Sequence, residues 1–489
     1  MKTNQITVFL IPLIFSVITQ SVKAEVKLPA IVSSNMVLQR DATIQIWGWA
    51  DANETFSLEA SWLSNKLDVK ANDSGNWSVQ VKTTNSKSPQ TITIKNKASN
   101  IILSNILFGE VWLCSGQSNM FQSLKGYTGQ PTFGGAKAIL HANNPNLRVF
   151  TVHKTASKTP LKDVKDFSGW QGASPETVAD FSAVAYFFGK ELQEILDVPV
   201  GLIHSSWGGS TIEAWMSTSI IEKFKKEAPN KIVTSKHVQR SPVLLFNAMI
   251  NPIIPYKIKG VLWYQGEANR QDPDFYKRLF PAMVKDWRER WGDYNFPIYY
   301  AQIAPYIYKG DEFYKTKEDN TANMRQAQLE CLDLIPNSGI AITTDIGEEH
   351  SIHPPRKKEV AERLLFNALH KTYGFTSIEF EAPVYDAFEI KDGGVLLKFK
   401  NAKSGLFSKG PLSNFEIAGA DKVFYPCEAK IIRGKGVFVK SDYVIEPKAA
   451  RYAWKNWVRG TLYGGNMLPV SSFRTDIWNE STRSKKYTN

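Results

Sequence analysis

The stretch from Gly109 to Met120 holds the residue best placed for chemistry, Ser118. Residues 111–114 are Val, Trp, Leu and Cys, an apolar run without charge that reads as a buried strand of a parallel sheet. Ser115 and Gly116 break the run, and Ser118 follows two residues later between polar neighbours. Open α/β sheets place their chemistry on such a turn, at the carboxyl end of a buried strand, where a hydroxyl stands clear of the backbone and amide N–H groups face it. A lone Gly-x-Ser is weak alone, because turn serines also bond their own backbone. The pattern departs from the Gly-x-Ser-x-Gly elbow, with Asn119 and Met120 after the serine.

Three later blocks fall at strand ends of the same kind. Residues 203–211 end an apolar run in Trp207, Gly208, Gly209 and Ser210, and two glycines there let a backbone amide approach a substrate. Residues 263–269 carry Gln265, Glu267 and Asn269, which puts a side-chain amide at a strand end. Residues 345–354 carry Asp345, Glu348, Glu349, His350 and His353 between a strand and a helix. Acyl transfer needs these parts: a hydroxyl nucleophile, a base within reach of it, and donors aimed at the developing oxyanion. Ser118 is the candidate nucleophile and His353 the base. The Ser118 amide, the Gly209 amide and the Asn269 side chain are the candidate oxyanion donors. Gln117, Trp207, Glu267 and Arg325 are the candidate substrate contacts, with core or loop-holding roles as their plain alternatives. Trp207, Trp215 and Trp263 read equally as a sugar-facing set or as core, and His204, inside a strand, reads as a core residue. The histidines and carboxylates of 345–353 follow no metal-ligand spacing, so no metal site is expected.

These residues need a scaffold, and the pattern from 107 to 375 supplies one. Apolar strands at 110–114, 200–205, 260–264, 297–303 and 339–344 alternate with helical patterns. Asp180 is a cap for a helix carrying Phe181, Val184, Ala185, Phe188, Leu192, Ile195 and Leu196 on one face, stopped by Pro199. Residues 276–291 form a second helix, which Pro281 bends or begins, and 355–370 a third. Five parallel strands with covering helices make a three-layer α/β/α domain. Before it, 25–106 reads as a sandwich-like β module, with period-2 strands at 43–49, 77–81 and 91–95. After it, 376–478 returns to β texture, and 479–489 is a polar tail.

Composition agrees with several domains of ordinary globular type: 489 residues, 43% hydrophobic and 22% charged. The formal charge of +12 favours anionic partners or surfaces, but the basic residues are scattered, so nucleic acid is not an expected partner. Residues 1–24 have the form of a secretory signal: Lys2, an apolar stretch at 8–17 too short to span a bilayer, and Ala24 at the cleavage site. No later stretch is long and apolar enough for a membrane helix, so the mature protein is expected to be exported, in the periplasm or the medium. Three cysteines, Cys114, Cys331 and Cys427, make no disulfide framework. The sequence leaves the oligomeric state open.

Taken together and in order, the four blocks resemble the SGNH hydrolases. Gly-Gln-Ser-Asn-Met at 116–120, Ser-Ser-Trp-Gly-Gly-Ser at 205–210 with Glu213, Ala214 and Trp215, Trp-Tyr-Gln-Gly-Glu-Ala-Asn at 263–269 and Ile-His-Pro at 352–354 look more closely like the sialate O-acetylesterase family of carbohydrate acetylesterases. That resemblance implies a flavodoxin-like SGNH domain flanked by β modules, no cofactor, and an acetylated carbohydrate as substrate. It also implies that Ser118 is the nucleophile, His353 the base, and Gly209 and Asn269 the rest of the oxyanion hole. Two departures stand out. The position three residues before His353, an aspartate in many SGNH enzymes, is His350; Asp345, Glu348, Glu349 or a backbone carbonyl is left to orient His353, with Asp345 the preferred candidate. Residues 216–255 also leave little room for the module that longer relatives carry. An SGNH esterase of non-sugar esters and a carbohydrate-binding protein with a decayed core are the competing readings.

Overall fold

The strand Asn100–Gly116 runs for 17 residues and joins two kinds of structure. Residues 100–106 pair antiparallel with Gln90–Lys95. Residues 107–109 pair in parallel with Val37–Gln39, and those from Glu110 on pair in parallel with Val200–Ser206 on one side and Gly260–Tyr264 on the other. From Ile106 to Gly116 the strand is buried throughout, the condition of a strand covered on both faces. This computed structural model describes residues 25–96, 100–308 and 321–478; the expected signal segment and polar tail lie outside the described residues.

The α/β sheet has the order Ser338–Ala341, Ile298–Ala301, Gly260–Tyr264, Asn100–Gly116, Val200–Ser206, Asn144–Thr151, all parallel. Gln171–Ala173 adds an antiparallel edge. All five expected strands form, and Asn144–Thr151 is a sixth that the pattern reading missed. Its sequence carries Pro145 and Arg148, which hide the apolar residues Leu147, Val149 and Phe150. Arg148 is buried because its guanidinium donates to the carbonyl oxygens of Asn35 at 2.7 Å and Asn105 at 2.5 Å.

Helices cover both faces. Ala183–Leu196 and Lys357–Lys371 pack on one; Pro273–Trp291 and Ala322–Leu334 cover the other. The first of these begins later than expected. Ser182 caps it, accepting from the Ala185 amide at 3.2 Å, while Asp180 pairs with Lys125 at the surface. Pro273–Trp291 starts at its own proline, capped by Asp272, and Pro281 lies inside it.

The N-terminal β strands are not a separate layer. A single apolar cluster extends from Val26, Ile46 and Trp77 to Trp263 and Trp287. The expected boundary at 106/107 falls inside the strand Asn100–Gly116. Glu110, buried in that strand, joins three regions: it accepts from Arg40 at 2.6 Å, Gln39 at 3.2 Å and the Tyr373 hydroxyl at 3.1 Å. The C-terminal strands form two four-stranded antiparallel sheets with their own core, including Val395, Ile417, Val439, Tyr452 and Phe473.

Arg325 is the tie between this β region and the α/β domain. It is fully buried and donates to Ser472 Oγ at 2.9 Å, the Ala453 carbonyl at 3.2 Å and the Lys455 carbonyl at 2.6 Å. Its expected place among the substrate contacts is corrected, because its donors are spent on the packed junction. Arg325→Ala is expected to destabilise the protein by about 3 kcal/mol or more, since several buried acceptors lose their charged donor. Denaturant titration of the variant beside the parent protein checks this.

Candidate active site

The site lies where the strand order reverses, beside the carboxyl end of Asn100–Gly116, with later strands on both sides of it. Gly116 makes the turn out of the strand. Its φ is +136°, and a Cβ there would lie 2.2 Å from the Tyr264 carbonyl oxygen, so no other residue fits the turn. Ser118 then opens the short helix Ser118–Phe121. Gly208 comes up against it from the end of Val200–Ser206: a Cβ on Gly208 would lie 3.3 Å from the Ser118 Cβ. Gly209 follows at φ +71°, in the left-handed region. Gly208 thus lets its segment of backbone come up close against the serine.

Asn269 reaches the same place from beyond Gly260–Tyr264. Its Oδ1 accepts from the Ile212 amide at 2.9 Å and from Gln265 Nε2 at 2.8 Å. Its Nδ2 donates to Glu213 at 3.0 Å. Two acceptor bonds and one donor bond fix which end of the amide is which, and leave the second N–H of Nδ2 for a ligand. Burial raises the Glu213 carboxyl above its usual range.

His353 arrives from the loop before the helix Lys357–Lys371. Its Nδ1 meets Gln130 Oε1 at 2.5 Å. An amide oxygen can only accept, so the proton sits on Nδ1 and Nε2 keeps its lone pair. Tyr127 packs edge-on against the imidazole at 5.0 Å and donates its hydroxyl to the Ser118 carbonyl at 2.8 Å. The imidazole is pushed down to about 4, first by burial and then by the nearby Lys357 ammonium. Serine, oriented base and preset donors together can carry acyl transfer.

A family model described as a carbohydrate esterase, sialic acid-specific acetylesterase, matches residues 108–364. The chain belongs to that family. The human sialate O-acetylesterase is 28% identical over 470 residues, covering 87% of each chain. The mouse sialate O-acetylesterase is 25% identical, covering 95% of this chain and 97% of its own. The crystal structure of a carbohydrate acetylesterase from Xanthomonas citri superposes with a TM-score of 0.83 at 35% identity, covering 93% of this chain and 100% of that one. The protein is thus a carboxylic ester hydrolase with the α/β/α fold and β flanks expected from its sequence.

Several residues of the esterase stand elsewhere than expected. Asp345 does not face His353. Both its oxygens are taken by Arg363 at 2.8 Å, an ion pair between the turn that follows Ser338–Ala341 and the helix Lys357–Lys371. Gln130 occupies the orienting position instead. Gln117 is buried, and its oxygen accepts from the Gly266 and Ala268 amides at 3.2 and 3.3 Å, so its carbonyl end holds that loop. Glu267 is buried too and accepts from Asn119 at 2.5 Å. Trp215 and Trp263 are fully buried and meet edge to face, while Trp207 is half-buried near the serine turn. His204 is a core residue, bonded through Nε2 to Ser206 at 2.6 Å. His350 is exposed. Gln130 carried no sequence signal beyond the absence of an aspartate at 350, because a loop glutamine twelve residues after a serine has no distinguishing pattern.

This arrangement separates two substitutions that the sequence alone ranks the other way. Gln130→Ala is expected to lower kcat by about 10-fold or more, since the imidazole loses the acceptor that sets its tautomer. Asp345→Asn should cost about 3 kcal/mol of stability through Arg363 and leave kcat of the folded enzyme near wild type. Steady-state kinetics beside thermal unfolding of both variants checks the pair.

Proposed function

We propose that this esterase removes O-acetyl groups from carbohydrate hydroxyls through an acyl-enzyme on Ser118, and that it does so as an exported protein. The observations that support the reading are Gly208 against Ser118, Tyr127 against both the Ser118 carbonyl and His353, and Asn119 against the carbonyl before His353, at the carboxyl ends of the central strands. In this mechanism His353 Nε2 takes the Ser118 proton as Oγ adds to the acetyl carbonyl. The Ser118 and Gly209 amides and the free N–H of Asn269 bind the oxyanion. The imidazolium then gives its proton to the departing sugar hydroxyl, and water repeats the sequence to release acetate. Gln130 keeps the imidazole in the right tautomer, but as a neutral amide it adds no charge to stabilise the imidazolium.

The substrate class follows from the relatives and the surroundings. The mammalian relatives are named for sialate and the Xanthomonas citri structure for carbohydrate acetyl groups. Trp207, half-buried beside the glycines, offers an aromatic face to a sugar ring. A net charge of +12 suits acidic glycans. Export rests on the signal-like residues 1–24; among the described residues no helix is long and apolar enough to cross a membrane.

Ser118→Ala is expected to lower kcat by several orders of magnitude with the fold retained. Asn269→Ala should lower it by about 10²–10³ with a smaller effect on KM. Acetate release from acetylated sialic acids, xylan, xyloglucan and pectin, with acetyl and octanoyl chromogenic esters alongside, checks both variants and the substrate class. Preference for the octanoyl ester, or turnover by Ser118→Ala, would sink the proposal.

A further inference from the structure

Behind the catalytic residues lies a polar group that the proposed chemistry does not use. Lys357, the first residue of the helix Lys357–Lys371, is fully buried. Its ammonium donates to Asn119 Oδ1 at 2.5 Å and lies 5.7 Å from the centre of the Tyr264 ring. Asn119 Nδ2 donates in turn to Glu267 Oε1 at 2.5 Å and to the Ile352 carbonyl at 3.1 Å. One buried amide thus touches a cation, an anion and a backbone carbonyl. Its neighbours in the chain matter. Asn119 follows Ser118, Ile352 precedes His353, and Glu267 stands two residues before Asn269.

We infer that Lys357, Asn119 and Glu267 form a buried bridge that holds the Ser118 turn, the His353 loop and the Asn269 block in register. The inference rests on the roles proposed above for Ser118 and His353. All three members are positioning residues, since they act through their neighbours.

The chemistry of the bridge is self-consistent. An asparagine whose oxygen meets an ammonium and whose nitrogen meets a carboxylate cannot flip without facing two like poles. A lysine and a glutamate this deeply buried are costly, and the intervening amide accepts from the one and donates to one oxygen of the other, while Glu267 Oε2 is buried without a hydrogen-bond partner among the described residues. Burial brings Lys357 down to about 7, with Glu267 opposing that fall, and raises the Glu267 carboxyl. Other charges near Glu267 and Tyr264 are Arg270 and Arg363. The titratable neighbours of His353 are Lys357 from the helix and Tyr127 from the loop opposite; on its own loop, His350 is exposed and Glu349 lies 4.0 Å from it.

The sign of the pH effect follows. A cation near an imidazole disfavours imidazolium, so the base stays neutral to lower pH. With the Lys357 charge removed, His353 is protonated at higher pH, and the acid limb of kcat/KM moves up. With only the hydrogen-bond bridge cut, turnover falls because the loops lose their register, but the limb stays, because the charge remains.

The experiment measures pH profiles of kcat/KM for the full chain and three variants on a short-chain chromogenic acetate. Lys357→Met should lower kcat by about 10–100-fold and shift the acid limb up toward the ordinary imidazole value of about 6.5. Asn119→Ala should show a similar loss with the limb unmoved. Lys358→Met, on the exposed side of the same helix, should change neither. A folded Lys357→Met enzyme with wild-type kcat and wild-type acid limb overturns the inference. Should Lys357→Met fail to fold, wild-type turnover by Asn119→Ala decides against it. Retained activity in Ser118→Ala refutes the catalytic reading itself; a dead Ser118→Ala beside an unaffected Lys357→Met refutes the bridge alone.

Discussion

A strand buried on both faces cannot slip, and the rest of this protein is arranged around one. Ile106 to Gly116 has no solvated face, so a one-residue shift would invert every side chain in the middle of the molecule. Neighbouring strands on both sides fix its register, and its end is fixed by Gly116 against the Tyr264 carbonyl. Ser118 therefore has little freedom in where it emerges. Gly208 and Asn269 reach it because their own strands are paired directly to this one. The single charge within the buried run, Glu110, is neutralised by Arg40 and so anchors the N-terminal β strands to the same frame.

The base is held in another way. His353 lies on a loop, and a loop needs more than a sheet to place it. Three contacts do this work: Gln130 at Nδ1, Tyr127 across the ring, and Asn119 at the preceding carbonyl. An amide in the place of a carboxylate gives the imidazole its orientation without a counter-ion. Burial first, and then the charge of Lys357, disfavour imidazolium. Three hydrogen bonds fix the Asn269 amide, the condition for the oxyanion donor proposed above.

The aromatic and basic residues have divided roles. Trp112, Trp215, Trp263 and Trp287 are fully buried and serve the core. Arg148, Arg288 and Arg325 are buried as donors to backbone carbonyls, which spends part of the net positive charge inside the protein. Arg325 in particular fastens the C-terminal β region to the sheet edge, beside the loop that carries Asp345 and His353.

The sequence by itself determined the α/β/α class, five of its parallel strands, three of the four covering helices and the four blocks that carry the candidate site residues. These were legible because burial on both faces leaves an uninterrupted apolar run, and because a residue needed at a strand end stands next to that run in the chain. Only the tertiary structure decided the partners of polar groups across long separations. Gln130 meets His353 over 223 positions and Lys357 meets Asn119 over 238, and neither pairing leaves a periodic trace. Asp345 shows the limit: nearness in sequence to His353 favoured it as orienter, but a guanidinium on the helix behind offered two aligned donors, and the ion pair took both its oxygens. The strand Asn144–Thr151 was hidden for the same reason, since a buried arginine looks like a surface residue until the carbonyls that satisfy it are brought together by the fold.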